Sequence, residues 1–209
     1  MKEHPLLMQG PLVRATLASL KTQTRTPVKK QPPIGYDRVR VCARYAEFEN
    51  DTPPLGKFST KSPMGEAGDR LWVRETFAIV HGCRDPETGY IDDWMVPRRD
   101  IPKDNSGGFW AALHRAGSQF DESQEDRGFS WRPAIHMPRW ACRLVLPLVS
   151  VRVERVQDIT EEDARAEGVE PIGGSYREGF REVWQSIYGT WDANPWVWVA
   201  EWDHVEVRK

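Results

Sequence analysis

The run Pro195-Trp196-Val197-Trp198-Val199-Ala200-Glu201-Trp202 constrains this chain more than any other segment. Successive side chains of a strand point to opposite faces. Trp196, Trp198 and Trp202 therefore share one face, with Val197, Val199 and Glu201 on the other. Both faces are largely apolar, the pattern of a central strand packed on both sides.

Other segments read as strands or short helices. Leu6-Leu7-Met8 is long enough for one strand, and Pro11 then suits the first turn of a helix over 11–20. That helix is expected to end in Lys21-Thr22-Gln23-Thr24-Arg25, because basic residues favour a helix C-terminus and Pro27 blocks continuation. Residues 26–68 are rich in Pro and Gly, with Arg38–Tyr45 the ordered piece. After a turn at Gly65–Asp69, the run from Leu71 places Leu71, Val73, Glu75 and Phe77 on one face. Glu75 is thus a carboxylate on an apolar face, at a barrel end or facing a pocket. Trp140–Val149 is a strand candidate interrupted at Pro147, and Val149, Val151 and Val153 alternate as a half-buried strand. Thr160 is positioned to cap a helix that Gly168 stops. Phe180, Val183, Trp184 and Ile187 form the apolar stripe of a helix over 177–188, with Gly189 closing it. Strands interleaved with short helices imply an α+β chain.

Residues 80–130 differ. They contain Asp85–Gly89, Gly107-Gly108 and the acidic stretch Asp121–Asp126, and their apolar periodicity is weak except near Phe109–Ala116, read as a short helix. The region is expected to be a long insertion between strands of a single domain spanning 1–209.

Composition narrows the function classes. No apolar run approaches the ~20 residues needed to cross a bilayer, and Met1–Gln9 has no signal-peptide core. The cysteines Cys42, Cys83 and Cys142 are odd in number and far apart, which disfavours a disulfide framework or zinc site and fits a reducing, cytoplasmic setting. Net charge is −2, yet residues 1–44 hold nine basic and two acidic side chains. Such a segment points to a local anionic partner or to a solvated loop. Ten tryptophans suggest core packing or base-stacking platforms.

No dinucleotide, Walker, zinc-protease or α/β-hydrolase motif is present. The richest constellation is Lys21-x-x-Thr24 followed by Arg25. A threonine hydroxyl is a poor nucleophile until a base takes its proton. A lysine can be that base when desolvation or nearby charge lowers its pKa. A carboxylate can orient the pair or carry a proton to the leaving amine. The same residues also read as an ordinary basic helix end. Glu167 is a second signal: it stands at the negative end of its helix, where a carboxylate is disfavoured by a few tenths to ~1 kcal/mol.

At these residues the chain resembles the ASCH family of the PUA-like superfamily, in particular its phage- and prophage-encoded members. The matching pieces are Lys21–Arg25, Gly68–Thr76, Ile135–Ala141, Asp158–Gly168 and Asn194–Val199. The resemblance implies a PUA-like (ASCH) β-barrel with flanking helices, a cleft at one barrel end and the long inter-strand insertion. Small bacterial members include amidohydrolases that remove the acetyl group of N4-acetylcytidine with a lysine, a threonine and a glutamate. Lys21, Thr24 and Glu167 fall on those positions. The resemblance implies substrate contacts from Arg25, Trp72, Arg74, Glu75, His136 and Arg139, with Trp140 as another stacking candidate. It implies a modified nucleoside or RNA as partner, and neither metal nor other cofactor. A non-catalytic RNA-binding module and a ribonuclease acting on single-stranded RNA are the alternatives.

Overall fold

The computed structural model describes residues 1–50, 56–84, 91–95, 110–118 and 129–208. The chain is mixed α+β and mostly sheet. Its main sheet runs in the order β1 (Glu3–Leu7), β6 (Arg70–Arg74), β10 (Leu144–Arg155), β11 (Trp196–Trp202) and β2 (Gln23–Pro27), with β12 (Glu206–Val207) also paired to β10. β1 lies parallel to β6, and the remaining pairings are antiparallel. β1 and β2 are the two ends of this path, which the described pairings leave open.

β11 is the central strand its sequence implies. Trp196, Trp198, Ala200 and Trp202 enter one core with Leu71, Val73, Leu144 and Leu146. Val197 and Val199 enter a second core beneath α2 (Glu161–Ala166) and α3 (Tyr176–Tyr188), against Ala164, Phe180 and Trp184. Thr160 caps α2 by accepting from the Asp163 N–H, Ser175 caps α3, and Gly189 closes α3 with φ +65°. β10 continues through Pro147, contrary to the expected interruption. Proline lacks a ladder donor, and here it sits where the strand leaves β6 and takes β11 as partner, next to a register shift between Leu148 and Ser150.

Among the described residues, two small sheets accompany the main one. β3 (Arg38–Cys42), β4 (Tyr45–Asn50) and β5 (Gly56–Lys61) form an antiparallel meander whose Ala46 and Phe48 join the first core. β8 (Ile91–Met95), β7 (Phe77–Arg84) and β9 (Trp110–His114) form the other. The helix expected near Phe109–Ala116 is therefore strand β9. Trp110 and Ala112 pack into one cluster, and Ala111 and Leu113 into another, so both faces are apolar and no alternation shows in the sequence. Asp85–Gly89, Gly107-Gly108 and Asp121–Asp126 lie outside the described residues. Among the described residues, no helix is long and apolar enough to cross a membrane.

Candidate active site

α1 spans Gly10–Leu17 and ends earlier than the sequence implies. Ser19 takes a left-handed conformation (φ 57°), which turns the chain out of the helix. Lys21 and Thr24 therefore do not sit at a helix end. Lys21 makes an isolated bridge with Glu167, and Thr24 lies inside β2. The C-terminus that Lys21 serves belongs to α2. Its Nζ donates to the Glu167 carbonyl at 2.8 Å, while the Thr22 N–H reaches the Ala166 carbonyl at 2.8 Å. A cation at those orphan carbonyls is favourable.

Lys21 is 1% exposed and Glu167 is 4% exposed. Lys21 Nζ also donates to Glu167 Oε2 at 2.7 Å and to the Gln23 carbonyl at 2.7 Å, which occupies all three ammonium protons. Glu167 Oε1 accepts from Arg25 Nη1 at 3.0 Å. The same guanidinium donates to Glu154 Oε1 through Nε and Nη2, at 3.0 and 2.6 Å, and to Asp163 Oδ2 at 3.1 Å. Gln23 Nε2 holds Asp163 Oδ1 at 3.1 Å. Farther out, Arg152 pairs with Glu154, Asp163 and Glu201.

Burial pushes the Lys21 ammonium below the ordinary lysine range, with the charge of Arg25 acting in the same direction and Glu167 opposing. Burial pushes Asp163 up, but the Gln23 hydrogen bond and the Arg25 and Arg152 charges together hold it below the usual carboxylate range. Such buried charges are costly to desolvate, and functional sites are where they concentrate.

A cleft of about 470 Å³ opens on this cluster. Thr24, Arg25 and Glu167 line it, with Leu6, Met8 and Leu12 on one side and Phe180, Trp184 and Tyr188 on the other. Both end strands of the main sheet therefore border one cleft. Ladder parity fixes the edge that β2 presents. Thr22 accepts from the Trp202 N–H and Val28 donates to the Trp196 carbonyl, so Thr24 and Thr26 also point their backbone groups at β11. The Arg25 N–H and C=O point outward, as does the nitrogen of Pro27, which has no proton to lose there.

The expected substrate contacts divide sharply. Arg25 lines the cleft, but its side chain is fully buried and held by three carboxylates. Glu75 is paired with Arg143 by two bonds of 2.9 Å. Arg139 is paired with Glu3 by two bonds of 2.7 Å. Trp72 lies beneath both the Arg74 and Arg139 guanidiniums, at 5.2 and 5.6 Å. Arg74 donates to the carbonyl of Ile135, which does line the cleft. His136 ends a short 3-10 turn next to Ile135, and Trp140 lies in the following one. The sequence assigns no site role to Glu154, Asp163 or Gln23: Asp163 is expected only as a partner in the Thr160 cap and Glu154 only as a polar position of a half-buried strand. Glu154 alternates with the valines of β10, Asp163 stands in the first turn of α2 and Gln23 lies in β2, so each carried only a local structural signal.

The basic segment is only partly spent inside the fold, since Lys2, Arg14, Lys29, Lys30, Arg38 and Arg40 stay exposed. Lys21 and Arg25 are buried, Arg38 and Arg40 stand opposite Glu49 and Glu47, and Arg44 pairs with Glu66 at 2.5 Å. Trp184, Trp191, Trp196, Trp198 and Trp202 are buried core rather than platforms.

No family model matches this chain, and no solved structure matches it. Over 101 residues, 47% of the chain, it is 30% identical to a stretch of the nonribosomal peptide synthetase sidC of Aspergillus fumigatus. The match covers 2% of that protein's length, and neither family nor activity follows from it.

Proposed function

We propose that the chain is an ASCH-type, PUA-like protein and an amidohydrolase that removes an acyl group from N4-acylated cytidine or cytosine. One observation carries the reading. Lys21 and Glu167, far apart in sequence, meet at 2.7 Å behind a cleft that Thr24 and Glu167 both line. A sheet whose two end strands border one cleft also supports a barrel-like curl around it.

The chemistry follows from these groups. Thr24 Oγ attacks the acyl carbon, and its proton passes to the Lys21–Glu167 pair, which accepts it when Lys21 is neutral. Burial favours that neutral form. The outward Arg25 N–H, adjacent to Thr24, supplies a donor to the oxyanion. The C–N bond then breaks, with the proton delivered to N4. Water hydrolyses the threonine ester and releases the carboxylic acid. The apolar cleft walls and the internally neutralised arginines favour a small uncharged substrate over a polyanion.

The test is incubation of the purified protein with N4-acetylcytidine, followed by chromatography. Cytidine and acetate are expected from the wild type, and neither from Lys21→Ala or Thr24→Ala. Saturable binding without product would make the cleft a binding site and reject the hydrolase.

A further inference from the structure

We propose that Arg25 is a positioning residue: held by Glu154 and Asp163, it anchors the Glu167 carboxylate against Lys21 and sets the proton affinity of Lys21. This rests on the reading of the Lys21–Glu167 pair given above. The Arg25 side chain cannot serve as a substrate ligand, because four of its N–H bonds go to Glu154, Asp163 and Glu167 and it is fully buried, which leaves only its main-chain N–H for the substrate. A permanently charged guanidinium on Glu167 Oε1 does two things. It fixes the carboxylate that Lys21 pairs with, and its charge repels a proton from Lys21 itself. Glu154 and Asp163 act in the opposite sense, since their charges partly cancel that of Arg25.

The charged groups facing Lys21 come from separate elements. Glu167 faces it from the end of α2 and Arg25 from β2. Asp163 of α2 and Glu154 of β10 act through Arg25. Tyr188 of α3 is within electrostatic reach of Glu167. Trp202 of β11, 6.0 Å from Lys21 Nζ, and Ala15 of α1 add no charge.

The test reads Lys21 directly by NMR titration of its side-chain carbon and nitrogen signals, assigned by their loss in Lys21→Met. Arg25→Gln is expected to raise the Lys21 pKa, and Asp163→Asn to lower it. Each shift is about one unit or more, the size expected for one charge nearby at an effective dielectric of about 20. Arg25→Lys, which retains the charge, is expected to restore most of the wild-type value. Opposite shifts support the proposal. No shift, or shifts of the same sign, overturn it. Should Arg25→Gln fail to fold, Asp163→Asn and Glu154→Gln decide alone: a lowered Lys21 pKa in both supports the proposal, and an unmoved one rejects it. The readout needs no turnover. Opposite shifts in a protein that leaves N4-acetylcytidine intact would keep this role for Arg25 and reject the hydrolase reading only.

Discussion

Lys21 Nζ and Glu167 Oε2, separated by 146 residues in sequence, stand 2.7 Å apart in a buried pocket of charge. Removing one partner of such a pair leaves the other buried and uncompensated. Glu167→Gln removes the anion that both Lys21 and Arg25 share. It is expected to destabilise the fold by about 3–5 kcal/mol. Lys21→Met leaves Glu167 held by Arg25 and is expected to cost less. Urea unfolding of the two variants checks the order, and a larger loss in Lys21→Met would contradict it.

Stability is expected to rise with pH in two separate windows. The Asp163 and Glu201 carboxyls are held below their usual range in the folded protein. The stability they contribute is present above their unfolded values and is lost as pH falls through the folded ones. Lys21 is lowered by burial, so in alkali the unfolded chain binds the extra proton first. That difference also makes stability rise with pH, up to the unfolded lysine value. Urea midpoints across pH should show both slopes. The acid slope should shrink in Asp163→Asn, and the alkaline slope should vanish in Lys21→Met.

Gly168 and Gly189 offer a matched comparison. Both are left-handed, with φ of +73° and +65°. A Cβ on Gly168 would stand 2.7 Å from Lys21 Cβ and 2.8 Å from Ala15 Cβ, whereas one on Gly189 meets nothing within 4 Å. Gly189→Ala is expected to cost about 1 kcal/mol from backbone strain. Gly168→Ala should cost clearly more and displace Lys21, lowering turnover of N4-acetylcytidine as well as the thermal midpoint. Equal midpoints would contradict the close contact.

Glu75 is expected to matter for stability alone. It is 1% exposed and spends both oxygens on Arg143. Glu75→Gln should cost about 3 kcal/mol or more, with kcat/KM per folded molecule unchanged. A large change in KM at wild-type stability would return Glu75 to the substrate site.

The sequence was most informative where one residue pattern had one physical solution. The double-faced apolar run at Trp196–Trp202 and the cap at Thr160 appear as read, and the stripe of α3 does so through Phe180, Val183 and Trp184, with Ile187 left exposed. Glu167 also announced itself, because a carboxylate at a helix C-terminus needs a compensating cation, and Lys21 and Arg25 supply it. What sequence concealed was long-range pairing. Glu75, Arg139 and Arg25 look like free polar groups until Arg143, Glu3 and Glu154 are folded against them. β9 was hidden because both of its faces are covered, and β4 because its charged residues lie opposite those of β3.

Mass spectrometry of the protein quenched during turnover of N4-acetylcytidine tests the central claim most directly. One acyl group is expected on the peptide containing Thr24, absent in Thr24→Ala, which should also lose turnover. Hydrolysis that proceeds at the wild-type rate in Thr24→Ala, or no hydrolysis by the wild type at all, would contradict it.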